Sequence, residues 1–276
     1  MPLLQVIVLG VIQGLTEFLP ISSSAHLAVI PQLLGWPDQG QAFDIALHAG
    51  TLAAVLLYFY RDWLQILGAA VGLRVGGDPA VERNRQLFWW LVIATLPIGV
   101  VGYLFGKQSE AARGNLFLVG AMLIGVGIFM WWSDRVGRKQ KDLGSISGAD
   151  AIVIGVSQAL SVIPGTSRSG ITISTGLLRN LDRPTAARFS FLLSTPAIAA
   201  AALQDAWKLF HHGPGLSPDM RTAFLLGILV SAVTGCLVIR FFLDFLRHRS
   251  LGVFVWYRII FGIIVVALAL FRSGGG

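Results

Sequence analysis

The chain has 276 residues, of which 55% are hydrophobic and 13% charged, with a formal net charge of +7 and a mean hydropathy of +0.72. A soluble domain carries about 25% charged residues, so this composition excludes an ordinary soluble globule and points to apolar segments of about 20 residues that cross hydrocarbon. The basic residues sit in short loops between apolar runs, a pattern of membrane orientation rather than of nucleic-acid binding.

The first apolar stretch, residues 3–34, lacks a basic leader and a small-residue cleavage site, so it reads as part of the fold and not as a signal peptide. It is broken midway by Pro20-Ile-Ser-Ser-Ser-Ala-His26. Full spans are expected at 41–60, 86–105 and 114–132. A second broken stretch, 149–181, carries Pro164-Gly-Thr-Ser-Arg-Ser-Gly170, and further spans follow at 186–206, 220–242 and 252–272. Proline and a run of hydroxyl residues would strand backbone polar groups in lipid, and such breaks survive only where protein or a wet cavity surrounds them. Each broken stretch is therefore read as a re-entrant helix–loop–helix hairpin in preference to a kinked spanning helix. The expected fold is an all-α polytopic membrane protein, two re-entrant hairpins plus about six transmembrane helices, in one membrane domain over 1–276. The single cysteine, Cys236, excludes an internal disulfide and reads as a packing residue.

The two halves, about 1–140 and about 145–276, resemble each other. Gly10-Val11-Ile12-Gln13-Gly14-Leu15 matches Gly155-Val156-Ser157-Gln158-Ala159-Leu160, and each leads into Pro-x-Ser/Thr-Ser. One hairpin and three spans per half make an odd number of crossings, so the repeat is expected to have inverted topology. Under this reading fourteen Lys and Arg fall on one face and five on the other. The richer face is expected to be cytoplasmic, with both termini outside and the first hairpin entering from outside.

Few polar groups fall at predicted membrane depth: Gln13, Thr16, Glu17, Ser22, Ser23, Ser24 and His26, then Ser157, Gln158, Ser161, Thr166, Ser167, Arg168 and Ser169. An ionisable residue at a helix centre costs about 2.5–3.5 kcal/mol on insertion scales, which makes Glu17 and Arg168 functional candidates and natural partners. Gln13 and Glu17 share one helix face at i,i+4. The free N–H groups of a helix restarting near Ser24 favour an anion of phosphate type. Arg168, flanked by two serines in the equivalent loop, suits bidentate binding of phosphate oxygens. His48 reads as a packing histidine, and Asp44 and Arg188 as helix-end charges. Arg258, six residues into the last span, is expected to snorkel or to pair with an acid.

Gln13 to Glu17, Phe18-Leu-Pro-Ile-Ser-Ser-Ser-Ala-His26 and Pro164-Gly-Thr-Ser-Arg-Ser-Gly170 resemble the signature motifs of the undecaprenyl-diphosphate phosphatase (bacitracin-resistance) family, and Tyr257-Arg258-Ile259 is similar to it as well. The resemblance implies a bacterial plasma-membrane (inner-membrane) hydrolase, multi-pass, whose site faces the outside or periplasm. Such an enzyme recycles the lipid carrier of peptidoglycan synthesis and reduces bacitracin sensitivity. It also implies a divalent cation; Mg²⁺ or Ca²⁺ is expected to be bound by Glu17, waters and the diphosphate itself. By the resemblance Glu17, Ser23, His26 and Arg168 are catalytic, with Gln13, Ser22, Ser24, Thr166, Ser167 and Ser169 around the phosphates. Gln13 stands where the family also carries Glu, which leaves one carboxylate in that motif.

The chemistry expected is attack by Ser23, activated by His26 or Glu17, on a diphosphate held by Arg168, Ser167 and loop N–H groups. Attack by water with Glu17 as base stays open. The expected partners are a polyprenyl diphosphate lipid and the bilayer, without nucleic acid; a homodimer is left open. A secondary transporter or lipid flippase with an anion site at the repeat interface is the alternative, since broken helices in inverted repeats also mark transporters. The hairpins are expected to meet tip to tip, with Glu17 and His26 from one half and Arg168 from the other.

Overall fold

The computed structural model describes residues 1–212 and 218–274. The helices are α1 Leu3–Phe18, α2 Ser23–Leu33, α3 Gln41–Tyr58, α4 Tyr60–Ala70, α5 Pro79–Arg83, α6 Leu87–Ala112, α7 Leu116–Val136, α8 Gly148–Ala159, α9 Arg168–Leu178, α10 Arg183–His212, α11 Pro218–His248 and α12 Gly252–Gly274. Short 3₁₀ turns occupy Leu143–Ser145 and Leu160–Val162. There is no strand among the described residues.

Among the described residues five helices are long and apolar enough to cross a membrane: α6, α7, α10, α11 and α12. The span read at 41–60 is different. Its helix stops at Tyr58 and restarts as α4 after a bend of 73°, so it makes a sixth span only if the bent pair counts as one. The reason is polar sequence: Arg61, Asp62 and Gln65 follow at once, and Gln65 leaves α4 to bridge the backbone N–H and C=O of Asp78, at 3.0 and 2.8 Å.

The ends of the elements at that face are tied by ion pairs. Arg188 at the start of α10 reaches Asp62, at 2.8 Å, and Asp78. Asp134 near the end of α7 takes Arg183, at 2.6 Å. Asp150 closes a capping box with Ser147 at the start of α8 and accepts from Lys141 and Arg179, at 2.9 and 2.8 Å. Burial works to raise the Asp78 carboxyl, but the Arg188 hydrogen bond, the Ala80 N–H and the nearby Arg188 and Arg83 charges hold it below the ordinary carboxylate range.

The two broken stretches take the same local form. α1 ends at Phe18 and the chain turns extended at Leu19. α8 ends at Ala159, and after its 3₁₀ turn the chain is extended at Ile163. A serine in the left-handed region stands at the N-cap position of each restart, Ser22 at φ 76° and Ser167 at φ 69°, and of the two only the Ser167 hydroxyl accepts a capping N–H, that of Gly170. The helices that follow, α2 and α9, both have 11 residues. L-residues seldom adopt such φ values, and they recur at functional sites. Gly165 at φ +90° is needed for a second reason: a β-carbon there would lie 2.6 Å from the Val119 carbonyl oxygen.

A chain of phenylalanines runs through the largely aliphatic core beside the hairpins. Phe18 at the end of α1 meets Phe191 edge-on at 5.3 Å, and Phe191 leads on to Phe242 and Phe254. Full burial of such side chains is worth about 1.5–3 kcal/mol each. α3 and α1 pack on α11, while α7 packs on α12, and the hairpin tips sit between these groups.

Candidate active site

Helical spacing carries Gln13 and Glu17 to one side of α1, and the break at Pro20 lets α2 turn back so that Ser23 returns to that side. The Gln13 Nε2 donates to Glu17 Oε2 at 3.1 Å, and the Ser23 hydroxyl donates to the same oxygen at 2.7 Å. Glu17 Oε1 accepts from Arg168 Nη2 at 2.9 Å, across 151 residues of chain. One carboxylate thus joins the two hairpins. Further contacts run between the tips: the Gly165 N–H donates to Ser24 Oγ at 3.4 Å and the Ser169 hydroxyl to the Leu19 carbonyl at 3.1 Å.

A cavity of about 690 Å³ opens beside this junction. Glu17, Ser22, Ser23, Ser24, Ser167 and Arg168 line it, so two helix starts, those of α2 and α9, share one space. Such starts present unpaired backbone N–H groups and suit an anion. Among the described residues the buried Arg168 Nη1 has no hydrogen-bond partner. An unpaired buried donor on a charged group is costly, and an anion in the cavity would relieve that cost. One stretch of the remaining lining is apolar, with Gly99, Gly102 and Gly106 of α6 and Ala197, Ile198 and Ala201 of α10. One space therefore has a polar end and a greasy end.

Four residues of the expected set do not line the cavity: Gln13, His26, Thr166 and Ser169. Gln13 and Ser169 touch those that do, whereas Thr166 is fully buried with an unpartnered Oγ1 among the described residues. His26 departs most from expectation. It turns away from Ser23: Nδ1 lies 2.7 Å from the Ser22 carbonyl, Nε2 lies 2.6 Å from the Tyr257 hydroxyl, and the ring stacks on Phe261. A carbonyl accepts only, so Nδ1 carries the proton in this arrangement and Nε2 faces a hydroxyl able to donate. Of the two bases weighed for Ser23, the structure puts Glu17 at hydrogen-bond distance and not His26.

Three polar cavity residues, His48, Asp44 and Arg113, were given no site role from the sequence. His48 Nε2 lies 3.7 Å from Glu17 Oε2, and its Nδ1 donates to the Asp44 carbonyl at 2.8 Å. Asp44, one turn earlier on α3, pairs with Arg113 at the end of α6, and both line the same cavity. The i,i+4 spacing of Asp44 and His48 within an apolar run was the available signal. The fixed charges of the lining then cancel, Glu17 and Asp44 against Arg113 and Arg168.

Residues 6–264 match the family described as bacitracin resistance protein BacA. A protein of Pelotomaculum thermopropionicum named undecaprenyl-diphosphatase is 46% identical over 275 residues, covering 100% of both chains. One of the same name from Moorella thermoacetica is 46% identical over 272 residues, 99% of this chain and 100% of its own. A third, from Chlorobaculum tepidum, is 42% identical over 275 residues and 97% of each chain.

Proposed function

Because the chain belongs to the bacitracin resistance protein BacA family, we propose that it hydrolyses undecaprenyl diphosphate to undecaprenyl phosphate and inorganic phosphate, which recycles the lipid carrier of cell-wall synthesis and confers resistance to bacitracin. The observation that carries the chemistry is the joint placement of a serine hydroxyl on a carboxylate and of an arginine with a free donor in one cavity. The diphosphate occupies the polar end between the two helix starts, and the prenyl chain leaves along the apolar end between α6 and α10.

In this reading Glu17 takes the Ser23 proton while Ser23 Oγ bonds to the terminal phosphorus. The bridging P–O bond breaks and its electron pair leaves with undecaprenyl phosphate. Water then hydrolyses the phosphoserine and releases inorganic phosphate. Direct attack by water positioned by Glu17 reaches the same products. Arg168 moves from Glu17 to the phosphate oxygens, where charge builds, and the N–H groups of α2 and α9 add donors that are already oriented. The Ser23–Glu17 hydrogen bond favours hydrolysis over transport, since a carrier needs no activated nucleophile.

The expected divalent cation fits the donors present. No group of three or more His, Cys, Asp or Glu stands together among the described residues; the cavity offers two carboxylates, Glu17 and, ion-paired with Arg113, Asp44, beside hydroxyl oxygens. Mg²⁺ is often held by one or two carboxylates plus substrate phosphates. Glu17 would hold it, helped by Gln13 Oε1, a buried oxygen without a partner among the described residues. The ion would supply the positive charge that the self-cancelling lining lacks.

The fourteen-residue basic face is cytoplasmic in a bacterial plasma membrane, the cavity faces outside, and the two halves are related as inverted repeats. Purified protein in detergent tests the reaction directly: inorganic phosphate is released from undecaprenyl diphosphate with undecaprenyl phosphate as the lipid product. Binding of the diphosphate with no phosphate release would overturn this reading in favour of a carrier.

A further inference from the structure

Arg258 on α12 is 0% exposed and is among the largest side chains fully enclosed by the protein. It neither snorkels nor pairs with an acid among the described residues. Its guanidinium instead donates to five main-chain carbonyls. Nε reaches Leu123 at 3.2 Å, and Nη1 reaches Pro20 at 3.2 Å. Nη2 reaches Met122, Gly165 and Thr166 at 3.2, 3.0 and 3.1 Å. Pro20 belongs to the first break, Gly165 and Thr166 to the second, and Met122 and Leu123 to α7. The adjacent Tyr257 grips the first break again, through His26 and the Ser22 carbonyl.

Resting on the phosphatase reading above, we propose that Arg258 is a positioning residue that sets Ser23 against Arg168 by clamping the two hairpin breaks to each other. The carbonyls it holds lie three residues before Ser23 and two or three before Arg168. Any slip of one break relative to the other moves nucleophile and phosphate ligand apart. Arg258 lies outside the cavity lining, so the bound carbonyl oxygens are drawn away from the space a diphosphate fills. Partial negative charge that would oppose the substrate is thereby directed elsewhere. A planar fork with five donors is required, because a lysine ammonium is a point donor with a shorter reach. Burying a charge without a counter-ion is expensive in lipid, and five carbonyl contacts explain how the protein tolerates it. The same clamp accounts for His26, which serves the loop from behind and stays out of the cavity.

The test compares purified Arg258→Lys and Arg258→Met with Asn84→Ala, which removes a buried amide bonded to the Leu143 and Ile146 carbonyls away from the site. Phosphate release is measured below the melting temperature of each variant. Both Arg258 variants are expected to lose about a hundredfold in kcat/KM, the size expected when reacting groups shift by about an ångström. Asn84→Ala is expected to lose only thermal stability. Combined with Arg168→Ala, the Arg258→Met loss is expected to be far less than multiplicative, since both act through one placement. Normal kcat/KM in folded Arg258→Met, full rescue by lysine, or a multiplicative double variant would each overturn the clamp.

A second arm needs no turnover. Leu19→Cys and Ser169→Cys, in a Cys236→Ala background, replace two residues joined by the Ser169 hydroxyl to Leu19 carbonyl hydrogen bond between the breaks and are expected to cross-link on oxidation. Arg258→Met is expected to slow that cross-link, and an unchanged rate overturns the proposal. If wild-type protein released no phosphate at all, the phosphatase reading would fall while this arm still judged the clamp.

Discussion

Replacing Glu17 by glutamine tests the junction on two scales at once. The carboxylate takes the Ser23 hydroxyl on one oxygen and the Arg168 guanidinium on the other, and it is 7% exposed. Glutamine keeps the shape but is no base, and loss of a general base costs about 10²–10⁴ in rate. It also leaves Arg168, whose side chain is 11% exposed, without its counter-charge. Removing one partner of a buried pair costs about 3–5 kcal/mol. The cavity gives Arg168 some access to water, so the cost here is expected nearer about 2 kcal/mol, between the surface and fully buried cases. Phosphate release and thermal melting in detergent read the two effects separately. Glu17→Gln is expected to lose at least about a hundredfold in kcat and to melt several degrees lower. Adding Arg168→Gln removes the orphaned charge, so the double variant is expected to regain most of the stability and none of the activity. Near-normal turnover in the single variant, or a double variant no more stable than the single, would refute the reasoning.

Ser23→Ala is expected to lower kcat by more than about a hundredfold if the covalent route operates; acid-quenched protein examined by mass spectrometry should then show a phosphoserine at 23 in wild type only, and near-normal turnover would make water the nucleophile. His48→Leu is expected to reduce kcat/KM by about tenfold, because its ring faces the same Glu17 oxygen that Ser23 uses; an unchanged steady-state rate would return His48 to a packing role. For Asp78, whose carboxyl is held below its ordinary value near pH 4, the stabilising contribution is present above the unfolded value and lost as pH falls through the folded one. Melting of wild type is thus expected to fall more steeply below about pH 4 than that of Asp78→Asn, and identical acid limbs would count against this linkage. Single cysteines placed near residue 140 are expected to be labelled only from the cytoplasm and those near 110 only from outside; the reverse pattern would put the cavity on the wrong side for an external substrate.

What could be read directly from the chain was local. Pro20 and Pro164 each lead into a run of hydroxyl residues, unlike Pro97 and Pro196, which stand inside α6 and α10, so the two breaks were visible, and a carboxylate and a guanidinium at those breaks had no cheaper reason to be there than each other. The restart of each helix at a serine follows from the same chemistry. The end of α3 was less legible. Apolar character runs on to Tyr60, and the bend comes where polar Arg61, Asp62 and Gln65 follow, with Gln65 bonded to the Asp78 backbone. His48 and Asp44 were lost to their surroundings for a related reason. They stand in an apolar helix whose relation to the hairpin tip is set by how α3 lies on α11 and α1, and no local pattern encodes that.

His26 and Arg258 show where sequence spacing misleads. Ser23 and His26 share a turn, which suggests a working pair, yet a side chain on a helix leans toward the preceding turn. For His26 that direction leads to the Ser22 carbonyl and on to Tyr257, 231 residues away. Arg258 has no local feature to separate it from a snorkelling arginine, because its partners are carbonyls, and carbonyls belong to every residue. Their availability is created by the breaks themselves. A helix uses its carbonyls internally, while a broken one leaves several free at its end. A fold that breaks and restarts two helices must therefore find donors for the carbonyls it frees. A single arginine placed behind both breaks meets that demand and ties the two loops together by the same bonds. The rarity of a buried, acid-free arginine in a membrane helix is thus a consequence of the broken hairpins, and the two features are expected to be gained or lost together.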